Sequence, residues 1–274
     1  MSEQSEPIVA VDGLVAEYDA RGGVAVALAG VDLRISRGER LGIVGESGSG
    51  KTTLALALGG LLPGNCRLSS GVVSSCGTTV RAGDGRTARA DELRTLRREK
   101  IAFIAQDPAA SLDPTTRIGR QFAVAMKAQG RPMTPDEIDE ALSAVRIERP
   151  GEVRRLYPHQ VSGGMAQRIA IAMAVARRPQ LLIADEPTAA LDVEVRSEVL
   201  SLIVRLAAEH DITLIWVSHD IPAVRRWCTR AVVMNDGRVV EQGPVDRVLV
   251  EPEHPYAREL VNALRAGAGA GEQR

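Results

Sequence analysis

The octapeptide GESGSGKT, residues 45–52, carries glycine at its first, fourth and sixth positions and ends in lysine and threonine. Glycines let successive backbone N–H groups curl around an anion where side chains would obstruct. The spacing G-x-x-x-x-G-K-[S/T] is that of a phosphate loop between a strand and a helix, and RLGIV before it and TTLALAL after it supply that setting. Gly45, Glu46, Ser47, Gly48, Ser49, Gly50, Lys51, Thr52 and Thr53 are therefore expected to bind nucleotide. In this reading Lys51 reaches the β- and γ-phosphates, and the Thr52 hydroxyl is a ligand of Mg²⁺.

LLIADEP, 181–187, is an apolar strand that ends in two adjacent carboxylates. Ligands of α/β sheets gather at the carboxyl ends of the strands, so Asp185 is expected in the Mg²⁺ shell and Glu186 as the base that polarises an attacking water. Gln106 follows IAFIA and opens the loop DPAASLDPTT. It is either a surface glutamine or a carbonyl ligand of Mg²⁺ or the lytic water. His219, after TLIWVS, is either a structural strand-end residue or a contact to the γ-phosphate. Tyr18, the sole aromatic before the loop, either stacks on a purine or is an ordinary edge-strand aromatic. Ser162, Gly163 and Gly164 open a helix-like run, IAIAMAVARR. Alone they read as a capped helix; a helix N-terminus with free N–H groups is also a phosphate site.

These groups need a frame. Short β-rich runs (IVAVDGLVAEY, LAGVDLRI, RLGIVG) precede a helix over 51–58, and a further β-like stretch, VVSSCGTTVRA, follows. The basic helical segment DELRTLRREK leads into IAFIAQ. From about 116 to 177 the pattern is helical: IGRQFAVAMKAQ, PDEIDEALSAV, and the run opened by Ser162. The buried-type strands LLIAD and TLIWVS flank the helix VEVRSEVLSLIVRLAAEH. Strand–helix alternation predicts an α/β fold with a parallel sheet, into which the helical block is inserted. The small-residue tail, 265–274, is expected to be disordered.

With 274 residues, 45% hydrophobic, the chain suits one large or two closely joined domains. Its formal net charge of −1 gives no global field for nucleic acid or anionic lipid. Cys66, Cys76 and Cys228 are odd in number and outside metal-ligand spacing, as expected of inert thiols in a reducing compartment. The N-terminus has no signal-peptide pattern. The longest uncharged stretch, after Lys51, is broken by Gly59, Gly60, Pro63 and Gly64 and falls short of a membrane span.

The ordered set GESGSGKT, Gln106, VSGGM, LLIADEP, AALD (189–192) and His219 resembles the nucleotide-binding subunit of ATP-binding cassette (ABC) transporters, over about residues 8–264. The resemblance implies a P-loop NTPase fold with a RecA-like core, an N-terminal antiparallel β-subdomain and the inserted helical subdomain at about 116–177. It also implies ATP, Mg²⁺ and a head-to-tail dimer of identical or paralogous ATPase subunits. Ser162, Gly163 and Gly164 would then face the ATP held by the partner subunit, which gives the chain's second anion cradle a purpose.

QDPAASLDPTTRIGRQ, YPHQVSGGMAQR and HPYARELVNAL resemble the ATPase subunits of peptide and nickel importers, whose signature carries methionine where Met165 stands. Ala166 and Ala189 depart from that pattern. This implies a peripheral subunit on the cytoplasmic face of the membrane, two permease partners, and indirectly an extracytoplasmic solute-binding protein. With no cysteine after Cys228, no iron–sulfur cluster is expected. An ABC exporter ATPase is the alternative, which HPYARELVNAL opposes. A non-transport ABC protein acting on nucleic acid or ribosomes would call for a second cassette or a coiled-coil insertion. A simple P-loop kinase or GTPase leaves VSGGM and His219 without a role.

Overall fold

Residues 41–44, 181–185 and 213–217 are buried at every position, the mark of strands covered on both faces. The computed structural model describes residues 6–20, 23–81, 83–187 and 193–271, without the side chains of 193–195 and 264–271. The AALD segment of the motif set, 189–192, lies outside them. The chain divides into two compact units, residues 1–94 with 213–274, and residues 95–212.

The first unit holds β1 (Val9–Ala20), β2 (Gly23–Ile35), β3 (Arg40–Val44), α1 (Lys51–Leu58), β4 (Cys66–Ser75) and β5 (Thr78–Arg81). The helix α2 (Ala90–Glu99) carries the chain into the second unit. That unit contains β6 (Ile101–Ile104), α3 (Ile118–Lys127), α4 (Pro135–Ala144), α5 (Pro150–Val153), α6 (Gly163–Ala176), β7 (Leu181–Asp185) and α7 (Val193–Glu209). The chain returns to the first with β8 (Thr213–Val217), α8 (Ile221–Trp227), β9 (Arg230–Asn235), β10 (Arg238–Pro244), α9 (Val245–Val250) and α10 (Pro255–Gly271).

In the first unit β2-β1-β4-β5 form an antiparallel sheet, and β10-β9-β3-β8 are adjacent in that order. β3 runs parallel to both β8 and β9, with Ile43 opposite Val217 and Val232. The ends of β3 and β8 therefore release the phosphate loop and Ser218-His219 at one edge of the sheet. The VVSSCGTTVRA stretch is a hairpin rather than one strand, since Cys76 (φ 50°) and Gly77 (φ 73°) supply the two positive φ values of a type I′ turn. Asp236 (φ 46°) and Gly237 (φ 72°) do the same between β9 and β10.

In the second unit β6 and β7 pair in parallel, Ile104 opposite Ala184. Phe122, Ile118, Leu142 and Ile169 fill the space among α3, α4 and α6. α4 starts on a capping box: the Thr134 hydroxyl accepts from Glu137 N–H, the Glu137 carboxylate accepts from Thr134 N–H, and Pro135 follows at the first helical position. α10 runs to Gly271, across most of the stretch expected to be disordered.

Candidate functional site

Glycine at 45 and 50 is a steric requirement. Gly45 has φ 153° and Gly50 φ 98°, and a Cβ on them would lie 2.3 Å from Met234 O and 2.6 Å from Ala27 O. The loop is thus wedged between β2 and the β9–β10 turn, where Gly237 N–H donates to Ser49 O at 3.1 Å. At Gly48 nothing would meet a Cβ, so the positive φ of 83° rather than crowding is what favours glycine there. Lys51, only 7% exposed, turns its ammonium back into the loop, onto Gly45 O (2.9 Å), Glu46 O (2.6 Å) and Ser49 Oγ (3.4 Å). An ammonium folded into a glycine loop at the N-terminus of α1 is an arrangement that suits a polyphosphate. The loop fits that ligand.

Thr52 is exposed, and Thr53 is buried on the other side of α1. Tyr18, half-buried in β1 opposite Cys66 of β4, has its hydroxyl 3.4 Å from Thr53 Oγ1. The ring therefore stands beside the first turn of α1. His219 is exposed at the end of β8; Asp220 after it caps α8, accepting from Ala223 N–H at 3.0 Å. Tyr18, the loop and His219 all belong to the first unit.

The other predicted residues belong to the second unit. Asp185, 7% exposed, ends β7. Glu186 follows at φ 46°, in the left-handed region although it precedes Pro187. Such a conformation is disfavoured for a residue before proline and stores about 1 kcal/mol or more. Continuing the β6–β7 register, exposed Gln106 leaves the sheet alongside Asp185 and Glu186. Ser162 is the N-cap of α6, its hydroxyl accepting from Met165 N–H at 3.2 Å, with Gly163 exposed and Gly164 half-buried in the first turn.

Two participants escaped the sequence reading. Gln167, buried on α6, donates from Nε2 to Pro187 O, joining the helix that Ser162 opens to the turn after Glu186. Gly237 braces the phosphate loop; an Asp-Gly pair between alternating runs was its available signal.

Among the described residues no three His, Cys, Asp or Glu side chains gather as a metal site. An ion held by Thr52, Gln106 or Asp185 would complete its shell with phosphate oxygens and water, as Mg²⁺ does. Burial pushes the Cys228 thiol up to about 12, in keeping with an inert role. No helix among the described residues is long and apolar enough to cross a membrane.

The sequence profile of the family described as ABC transporter matches residues 28–189, more than half the chain. The chain is 39% identical to the oligopeptide transport ATP-binding protein AmiE of Streptococcus pneumoniae, over 96% of its own length and 74% of the relative's. It is 36% identical to the oligopeptide transport ATP-binding protein OppD of Escherichia coli, over 98% and 79%. Among solved structures, the dimeric post-hydrolysis state of the ATP-binding cassette MJ0796 bound to ADP and Pi matches with a TM-score of 0.74 at 29% identity, over 86% of this chain and 98% of that one. The α/β fold expected from the motifs is therefore the ABC ATPase fold. With the family profile matched over more than half of its length and relatives of this kind at 36–39% identity over nearly all of it, the chain belongs to the ABC transporter family as an ATP-binding protein.

Proposed function

We propose that this chain is the ATP-hydrolysing subunit of an ABC importer, energising uptake of peptides or a related small solute such as a metal chelate. The observation that carries the ATPase reading is the buried Lys51 ammonium, held inside a glycine loop by carbonyls that a triphosphate would replace. The importer reading rests on the relatives, which are named for oligopeptide transport.

In the first unit, the loop from Gly45 to Thr53, through those of its N–H groups that face inward, and the Lys51 ammonium bind the β- and γ-phosphates, Tyr18 stacks on the purine, and Thr52 offers its hydroxyl to Mg²⁺. His219 contacts the γ-phosphate. In the second unit, Asp185 is the carboxylate for the ion and Gln106 its carbonyl ligand. Glu186 takes the proton from the attacking water. Bound Mg²⁺ supplies charge neutralisation on the phosphates. Ser162, Gly163 and Gly164 present the α6 N-terminus to ATP on a second ATPase subunit, identical or paralogous, in a head-to-tail dimer. Residues 1–264 act as one ATP-binding domain. The loop after Gln106 and the block 116–177 meet two permease subunits at the cytoplasmic face of the membrane, and a solute-binding protein delivers cargo from the other side.

Affinity purification from detergent-solubilised membranes tests this reading. Two polytopic permeases and Mg²⁺-dependent ATP hydrolysis are expected, with the permeases lost when 107–117 is altered. Ribosomal or DNA-repair partners without a permease would overturn it.

A further inference from the structure

The peptide between Gly45 and Glu46 is gripped from both sides. Its carbonyl, Gly45 O, accepts from Lys51 Nζ at 2.9 Å on the inside of the loop. In a trans peptide the N–H points the opposite way, and Glu46 N–H donates to the Tyr256 hydroxyl at 3.2 Å. Tyr256 is 210 residues away in sequence, on the first turn of α10, beyond the 28–189 segment that matches the family profile.

That tyrosine is itself held. Its N–H donates to His254 Nδ1 at 3.2 Å, while the N–H groups of Glu253 and His254 both reach the Glu241 carboxylate on β10, at 3.0 and 2.9 Å. Ala257, Leu260 and Val261 are buried beneath the helix. β10 is also the strand whose turn places Gly237 N–H on Ser49 O. The hairpin β9–β10 and α10 thus hold the loop at two points, Glu46 and Ser49. Partial burial and the nearby Glu46 and Asp236 carboxylates push the Tyr256 hydroxyl above the ordinary phenol range, so it stays a neutral acceptor at working pH.

We propose that Tyr256 is a positioning residue of the nucleotide site: by fixing the outer side of the 45–46 peptide it sets the curvature of the loop and the place of the Lys51 ammonium. When a triphosphate draws Lys51 off the carbonyls, the inner grip is released and the outer one remains. The group acts on binding rather than on the bond-breaking step. This inference rests on the ATPase reading above.

The test is Tyr256→Phe, which removes one oxygen and keeps the ring. KM for ATP should rise about three- to tenfold, the equivalent of one hydrogen bond, with kcat within about twofold. In ¹⁵N–¹H spectra of the nucleotide-free chain the Glu46 amide proton should move upfield. Leu260→Ala, which loosens α10 without touching the loop, should lower Tm and leave KM in place. Unchanged KM in Tyr256→Phe, an unmoved Glu46 amide, or an equal KM rise in Leu260→Ala would each overturn the proposal. Lys51→Ala in the same titration separates the two readings. If it weakens ATP binding while Tyr256→Phe does not, only the positioning role falls; if the native chain binds no ATP, both fall.

Discussion

The loop at 45–52 and the turn at 161–164 use glycine and serine to open a helix, but they are built differently. Gly45, Gly48 and Gly50 all have positive φ, and side chains at two of them would collide with the backbone of β2 or β9. Gly163 and Gly164 have helical backbone with open space where a Cβ would stand. The first cradle encloses a cation, Lys51. The first turn of α6 carries no charge, and the Ser162 hydroxyl oxygen accepts from Met165 N–H. Partial positive charge from a helix end, about half an elementary charge, is weak against the hydration of a free phosphate. On the proposed reading, the first cradle captures a nucleotide unaided, whereas the second receives an anion presented to it.

The largest expected effect comes from the Glu186 carboxylate, which the proposed function makes the base for hydrolysis. Glu186→Gln should lower turnover by about 10²–10⁴-fold while ATP still binds, leaving a closed dimer visible by size exclusion. Hydrolysis near the native rate would remove Glu186 from the role of base. In that trapped background the cradles separate cleanly. Lys51→Ala should weaken ATP binding by the monomer by about 10- to 100-fold, the value of hydrogen bonds to a charged group. Ser162→Arg should leave monomer affinity within about twofold and abolish ATP-dependent dimerisation. Equal damage to monomer affinity from both would end the distinction.

Stability reads the same contrast on a smaller scale. Gly50→Ala forces a Cβ against Ala27 O at φ 98° and should destabilise by about 1–3 kcal/mol in thermal unfolding. Ser162→Ala loses the α6 cap, for about 1 kcal/mol. Gly163→Ala should be neutral or stabilising by up to about 1 kcal/mol, since alanine fits a helical position that has room. A stability loss at Gly163 equal to that at Gly50 would show the second turn to be as constrained as the first.

Much of this site was legible in the chain because its signals are local. Positive-φ glycines, the Ser162 cap and the apolar strands before Gly45 and Asp185 act over a few residues, and each left a readable pattern. The β9–β10 hairpin and the division of VVSSCGTTVRA into two strands rest on two-residue signals, Asp236-Gly237 and Cys76-Gly77, that are short against the strand patterns around them. Gln167 and Tyr256 left no such trace. Their partners lie 20 and 210 residues away, and nothing in a glutamine within a helix or a tyrosine near the C-terminus says which distant carbonyl or N–H it will meet.

The sequence by itself determined the residue types that can adopt the loop's backbone, the helix starts that follow, and the strand ends that deliver His219, Asp185 and Glu186. Backbone sterics and capping are short-range, so these follow from composition and spacing. Only the tertiary structure decided what stands behind the loop: Ala27 and Met234 leaving no room for a side chain, Gly237 and Tyr256 holding its peptides, and Glu186 kept at φ 46° before a proline. Each of these depends on a backbone group being satisfied or confined by a segment remote in sequence, and the chain must be folded before that partner exists.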